Sequence, residues 1–174
     1  MNNQILSARL TLTKVALPDW ELISSIYSTP TLMEHIGATM SDEDIRRNFE
    51  KELAPWSLES NHWLTWIIRE TDSGSDVGLI SICTRNRETL TAEVGFIILD
   101  GFKGKGYATE SIRRVFDFAV DTFGFKKFTA VCSEEHAASR RVLEKAGMKL
   151  DKIVPESTEI AGKMVNDCFY TLEK

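Results

Sequence analysis

The stretch Ala92-Glu93-Val94-Gly95-Phe96-Ile97-Ile98-Leu99-Asp100-Gly101-Phe102-Lys103-Gly104-Lys105-Gly106-Tyr107-Ala108-Thr109 runs from an apolar strand through a glycine-rich turn into a helix start. Glycines at 104 and 106 and the small Ala108 let the backbone approach a ligand closely. The free N–H groups at the positive end of the following helix favour a phosphate there. Lys103 and Lys105 bring charge to the same point. A tight structural turn, or a site for a different nucleotide, would use the same residues.

Beyond the turn, Ala108, Ile112, Val115, Phe116, Ala119, Val120 and Phe123 recur at helical spacing, and Gly124 stops the pattern. Upstream, 62–70, 77–84 and 91–99 read as strands, the first two joined by Thr71-Asp72-Ser73-Gly74-Ser75. Links this short predict an antiparallel meander. Downstream, 128–132 reads as a strand. Ala138, Val142, Leu143 and Ala146 mark a short helix ended by Gly147, and 149–154 and 164–172 read as closing strands joined by a polar loop. Nearer the start, Leu10, Leu12 and Lys14 alternate with Thr11 and Thr13 as in a strand. Pro18 and Asp19 precede a helical face of Leu22, Ile23, Ile26 and Tyr27. Ser41 is placed to cap a second helix carrying Ile45, Phe49 and Leu53. The expected fold is α+β: a single domain over 1–174, with a mixed, mostly antiparallel sheet of about seven strands and helices on both faces.

With 174 residues and 43% hydrophobic content, the chain can bury one core and is short for two domains. No charged start leads into an apolar run, and no run approaches the ~20 residues that span a bilayer. A cytoplasmic protein with no membrane role is expected. The net charge of -5 excludes a general nucleic-acid binder. Between 101 and 149, ten Lys or Arg face six Asp or Glu, so this segment is basic and the remainder acidic. That division suits an anionic ligand at the centre and a cationic one elsewhere, although solvated basic helix faces would look the same. Cys83, Cys132 and Cys168 are odd in number and far apart in strand-like segments, and read as reduced packing residues; no metal site is expected.

Lys103 to Ala108 resembles the Q/R-x-x-G-x-G/A loop by which the GNAT family of N-acetyltransferases holds the pyrophosphate of acetyl-CoA, with Lys103 in place of the usual Gln or Arg. Ser7-Ala8-Arg9-Leu10-Thr11-Leu12 is similar to the T-x-R-L-x-L opening of the ribosomal-protein N-terminal acetyltransferase branch. Thr13 stands where that branch usually has Arg. Gly162-Lys163, Asp167 and Tyr170-Thr171-Leu172 resemble the branch's closing strand. His136-Ala137-Ala138-Ser139-Arg140-Arg141-Val142-Leu143-Glu144-Lys145-Ala146-Gly147-Met148 is similar to N-x-x-S-x-x-V-L-E-K-x-G-F, with His136 for Asn.

The resemblance implies a GNAT-type fold, acetyl-CoA as acyl donor and a primary amine as acceptor, in a monomer or homodimer. It places Lys103, Gly104, Lys105, Gly106, Tyr107, Ala108 and Thr109 at the diphosphate and His136 at the cofactor. Ile97, Ile98 and Leu99 lie along the pantetheine arm, where neighbouring strands part; these three are also ordinary core strand residues. Ser139 becomes a candidate to protonate the departing thiolate, because Leu143 stands where many relatives carry a tyrosine acid. A helix serine bonded to backbone is the plain alternative. Glu93 is the candidate general base: a carboxylate in an apolar strand is costly to bury unless paired or wet, and partial withdrawal from water strengthens it as a base. A paired structural carboxylate is the competing reading.

A protonated amine cannot attack a thioester. At pH 7 a lysine amine of pKa ~10.4 lies ~4.6 kcal/mol from its neutral form, and an α-amine of pKa ~8 lies ~1.4 kcal/mol away. An N-terminal acceptor therefore asks less of one glutamate, and proximity in a ternary complex supplies much of the acceleration without a covalent enzyme intermediate. Tyr27, His35, Trp56, His62, Trp63 and Trp66 could line the acceptor site, with Trp56 foremost, although core packing accounts for most of them. Two other functions stay open: a degenerate protein that binds coenzyme A as a sensor or scaffold, and an acetyltransferase for a small-molecule amine.

Overall fold

The computed structural model describes residues 4–174. Its order is β1 (Gln4–Leu6), β2 (Leu10–Lys14), α1 (Trp20–Ser28), α2 (Pro30–Met33), α3 (Asp42–Leu53), β3 (Leu64–Glu70), β4 (Asp76–Asn86), β5 (Thr91–Ile98), α4 (Tyr107–Phe123), β6 (Lys127–Ser133), α5 (Ala137–Lys145), β7 (Lys149–Ile160) and β8 (Lys163–Glu173). The strands form one sheet in the order β1-β2-β3-β4-β5-β6-β8-β7. Every neighbouring pair is antiparallel except β5 with β6.

The sheet has eight strands among the described residues, one more than the approximate expectation. The addition is β1, too short to show alternation, which pairs with β2 from Gln4–Thr13 to Leu6–Thr11. The closing ribbon is also longer than expected: β7 continues past Pro155 through a register shift between Val154 and Thr158. Polar residues there read as a loop because a two-stranded ribbon need not bury both faces.

Side-chain alternation divides the core. Trp66 and Ile68 of β3 and Ile80 and Ile82 of β4 meet Ile112, Val115, Phe116 and Ala119 of α4 on one face. Ile67, Leu79 and Ile97 meet Ile23 and Ile26 of α1 and Ile45 and Phe49 of α3 on the other. The expected Ser41 cap forms: its Oγ accepts the Asp44 N–H at 3.2 Å and donates to Asp44 Oδ2 at 2.7 Å.

One register detail places the site. β5 and β6 pair only from Thr91–Lys127 to Glu93–Thr129. Beyond Glu93 the two strands diverge, and the β6-facing edge of β5 has no ladder partner from Val94 to Ile98. Gly78 of β4 holds the other edge close: a Cβ on it would lie 2.1 Å from the Ile97 carbonyl oxygen.

Candidate active site

The turn entering α4 leaves backbone amides unpaired at the helix start. Gly104 and Gly106 adopt φ of 78° and 83°, in the left-handed region that favours glycine. Gly106 is the helix N-cap and offers no side chain, and the first intrahelical bond is that from Glu110 N–H to the Gly106 carbonyl. The amides of Tyr107, Ala108 and Thr109 therefore stay free at the positive end of a 17-residue helix.

Arg9, immediately before β2, fixes this turn. Its Nη1 donates to the Lys105 carbonyl at 3.1 Å, its Nε donates to Glu110 Oε2 at 2.8 Å, and its guanidinium lies 4.6 Å from the Tyr107 ring centroid. Ser7 Oγ also donates to Glu110, at 2.7 Å. Burial alone would raise the Glu110 pKa, but the bonds from Ser7 and Arg9 outweigh it and hold the carboxyl below its usual range. The opening Ser7-Ala8-Arg9 motif thus acts on a loop almost a hundred residues away, and its charge partner keeps Glu110 from standing bare beside a phosphate.

A cleft of about 1090 Å³ runs from this turn along β5 to the start of α5, walled by Ile97, Ile98, Lys103, Gly104, Gly106, Tyr107, Ala108, Thr109, His136 and Ser139. Two expected donor residues are outside its wall. Leu99 packs with the α1–α3 layer and gives its N–H to the Val77 carbonyl at 2.9 Å. Lys105 turns back over Phe102, its Nζ 4.9 Å from the ring centroid. Lys103 Nζ rests on Asp100 at 2.6 Å, an exposed pair that an incoming phosphate can displace. Arg113, Arg114, Arg141 and Lys145 give the cleft a cationic rim that the motif reading did not single out.

At its inner end the cleft meets a cavity of about 360 Å³ in the gap between β5 and β6. His136 and Ser139 wall both spaces. Ser139, nearly buried, has its Oγ 2.8 Å from His136 Nδ1, and the His136 ring stacks on His35 with centroids 4.3 Å apart. Burial, followed by the His35 and Lys103 charges, lowers the His136 pKa to about 4, so the imidazole is neutral at pH 7. His35 bridges the α2–α3 connection to α5. Its partner is 101 positions away, and nothing local in the sequence signals the contact.

β5 and β6 part beside a helix end with free amides. Residues 9–149 match the family description Acetyltransferase (GNAT) domain. The chain is a member of the GNAT acetyltransferase family. Its acyl donor is acetyl-CoA, and the cleft beside it combines unpaired helix-end amides, a strand edge without a ladder partner and a basic rim. A curated N-acetyltransferase, p20 of Bacillus licheniformis, is 22% identical over 168 residues, covering 95% of this chain and 93% of its own. Among solved structures, spermidine N-acetyltransferase from Vibrio cholerae in complex with CoA and spermine aligns with a TM-score of 0.83 and 18% identity, over 96% of each chain. RimL, a ribosomal alpha-N-protein acetyltransferase in complex with coenzyme A, aligns with a TM-score of 0.85 and 14% identity, over 98% of this chain and 97% of that one. At these identities the structural matches establish the shared fold.

In this GNAT enzyme Glu93 stands at the last position of β5 that pairs with β6, opposite Cys83 of β4 and beside Thr129 of β6. Its carboxylate accepts Arg85 Nε at 2.7 Å, and it is part of neither cavity wall. Arg85 lies 5.5 Å from the Trp63 ring centroid, and Trp63 covers Gly95, two residues on from Glu93. Of the aromatic residues considered for the acceptor, Tyr27, His35 and Trp63 wall the inner cavity. Trp56 does not: its ring meets Phe123 edge-on and its Nε1 donates to the His62 carbonyl at 3.0 Å. Trp66 is core.

The three thiols are unpaired and all are shifted upward in pKa, chiefly by burial, Cys83 to about 11 and Cys132 to about 12. Among the described residues no group of three or more His, Cys, Asp or Glu could hold a metal, and no helix is long and apolar enough to cross a membrane.

Proposed function

We propose that this GNAT enzyme transfers the acetyl group directly from acetyl-CoA to a primary amine in a ternary complex, with an α-amine such as a protein N-terminus as acceptor. The observation carrying this reading is the inner cavity, which opens onto the donor cleft where β5 leaves β6. An amine in that cavity faces the strand edge where the thioester of a donor seated along β5 would end.

The neutral amine forms the new C–N bond to the acyl carbon as the C–S bond breaks. One proton leaves the nitrogen and one reaches the sulfur, so the exchange balances without an added reactant. Glu93 receives the amine proton through solvent at the Gly95 edge, with Arg85 holding the carboxylate on that side of the strand. Ser139, at the border of both spaces, donates to the departing sulfur, and His136 Nδ1, 2.8 Å from Ser139 Oγ, positions the hydroxyl. Thiols held protonated by burial support direct transfer over a cysteine-bound intermediate. Smaller proton cost favours the α-amine, and the neighbours named for an alpha-N-protein acceptor and for spermidine both support the amine class.

The test is to mix enzyme and acetyl-CoA with peptides bearing free or blocked N-termini, with lysine side-chain amines and with small amines, and to follow thiol release. Free N-termini should be fastest. Release that ignores N-terminal blocking would overturn the α-amine assignment. Coenzyme A binding with no release from any acceptor would point to the sensor or scaffold role.

A further inference from the structure

Behind the inner cavity, between α1, α3 and the segment leading to β3, lies a third space of about 310 Å³ that neither donor binding nor the transfer step uses. Its wall includes Tyr27, Asn48, Phe49, Glu52, His62 and Trp63. Tyr27 and Trp63 also wall the inner cavity, so the two spaces adjoin through those rings.

Glu52 is the unusual member. It is largely withdrawn from water at the inner end of α3, and no Lys or Arg among the described residues forms an ion pair with it. The neutral Thr65 side chain is the polar group that favours its charged form, and Thr65 Oγ1 already shares a 2.7 Å bond with Ser81 Oγ. Burial raises the Glu52 pKa and, together with the nearby Glu52 carboxylate, raises that of Tyr27. Lys14 spends its ammonium on the Leu53 and Ala54 carbonyls, at 3.4 and 2.8 Å, and Lys51 also reaches this wall. Both act on His62, lowering its pKa after burial has done so, and His62 Nε2 is buried with no hydrogen-bond partner. A carboxylate without a counter-ion, a buried orphan nitrogen and three aromatic rings around one space are a set of unmet interactions.

We infer that this cavity receives a second positive charge carried by the acceptor, with Glu52 as its counter-ion and the rings of Tyr27, Phe49 and Trp63 as its walls. The inference rests on the amine-transfer reading and narrows it: one amine enters the inner cavity to be acetylated, and a second cationic group on the same molecule reaches past Tyr27 to Glu52. A diamine and a peptide with a basic side chain beside its N-terminus share that chemistry. Aromatic faces favour a desolvated cation, and a charge-assisted bond to a buried carboxylate exceeds a neutral one in strength.

Calorimetry on the protein saturated with coenzyme A decides it, using diaminobutane against butylamine and alanyl-lysine amide against alanyl-leucine amide. At least one dication should bind about tenfold tighter than its matched monocation, and the pair that shows the difference identifies the source. Glu52→Gln should erase that difference and leave coenzyme A affinity unchanged, with a melting curve verifying the fold. Tyr27→Phe, which keeps the carboxylate, should retain most of it. Equal binding within both pairs, or a preference that survives Glu52→Gln, would overturn the inference. Selective binding without thiol release would refute the transfer reading and leave this one standing. Release from monocations with no preference would do the reverse.

Discussion

Ser139 Oγ and His136 Nδ1 lie 2.8 Å apart at the start of α5, and the imidazole stacks on His35. In the proposed transfer this serine hydroxyl, held beside a neutral imidazole, supplies the proton to the departing sulfur. Ser139→Ala should therefore lower kcat by about tenfold to a hundredfold, the usual scale for a lost general acid, with unchanged coenzyme A affinity. Steady-state rates beside a binding titration check this. His136 gains its charge only as pH falls through about 4, so it should add no inflection to the rate profile between about pH 6 and 9.

Arg9 reaches the donor turn from the residue before β2, bonding the Lys105 carbonyl and Glu110. Arg9→Ala frees the turn and leaves Glu110 without its charge partner at the start of α4. Affinity for acetyl-CoA should fall about tenfold, as expected for loss of one charge-assisted contact set, with KM for the acceptor little changed. Kinetics with each substrate varied in turn separate the two effects.

Gly78 permits the close approach of β4 to Ile97. Gly78→Ala puts a methyl group against a backbone carbonyl, which no side-chain rotation relieves. We expect a loss of about 3 kcal/mol, the upper range for overpacking, read from urea denaturation, and weaker donor binding because Ile97 moves with its strand.

Glu52 carries a stability cost whose pH dependence has a definite sign. Its folded pKa lies above the ordinary 4.5, so the folded state holds this proton more tightly than the unfolded chain does. The contribution to stability falls as pH rises from the ordinary value through the raised one, and is constant above. Glu52→Gln removes this cost. The variant should match the parent near pH 4 and melt at a higher temperature than the parent at pH 8, as thermal melts at the two pH values would read. A residue kept for packing would show a lower melting point instead.

Elements with strong periodicity were legible from the letters. The apolar repeat along α4 marked that helix, and Ser41 announced the start of α3. The donor turn was legible for a local reason, because glycine at 104 and 106 encodes a backbone shape directly. β1 was not, since three residues cannot display alternation. Pairings between distant positions, such as Arg9 with Lys105, His35 with His136 or Trp63 over Gly95, depend on how the sheet brings its strands together, and no spacing rule reports them. Glu52 left a trace that went unused: with Ile45 and Phe49 it occupies positions i, i+4 and i+7, the inward stripe of α3, where an acid is out of place.

The divergence of β5 from β6 also makes the sheet mechanically uneven. Its two halves are joined edge to edge only from Thr91 to Glu93, leaving a seam whose remaining length has no backbone cross-links of its own. A donor lying in that seam would take the place of the missing ladder, so substrate occupancy should fasten the β6–β8–β7 panel to the rest of the molecule and slow amide exchange on both banks of the gap.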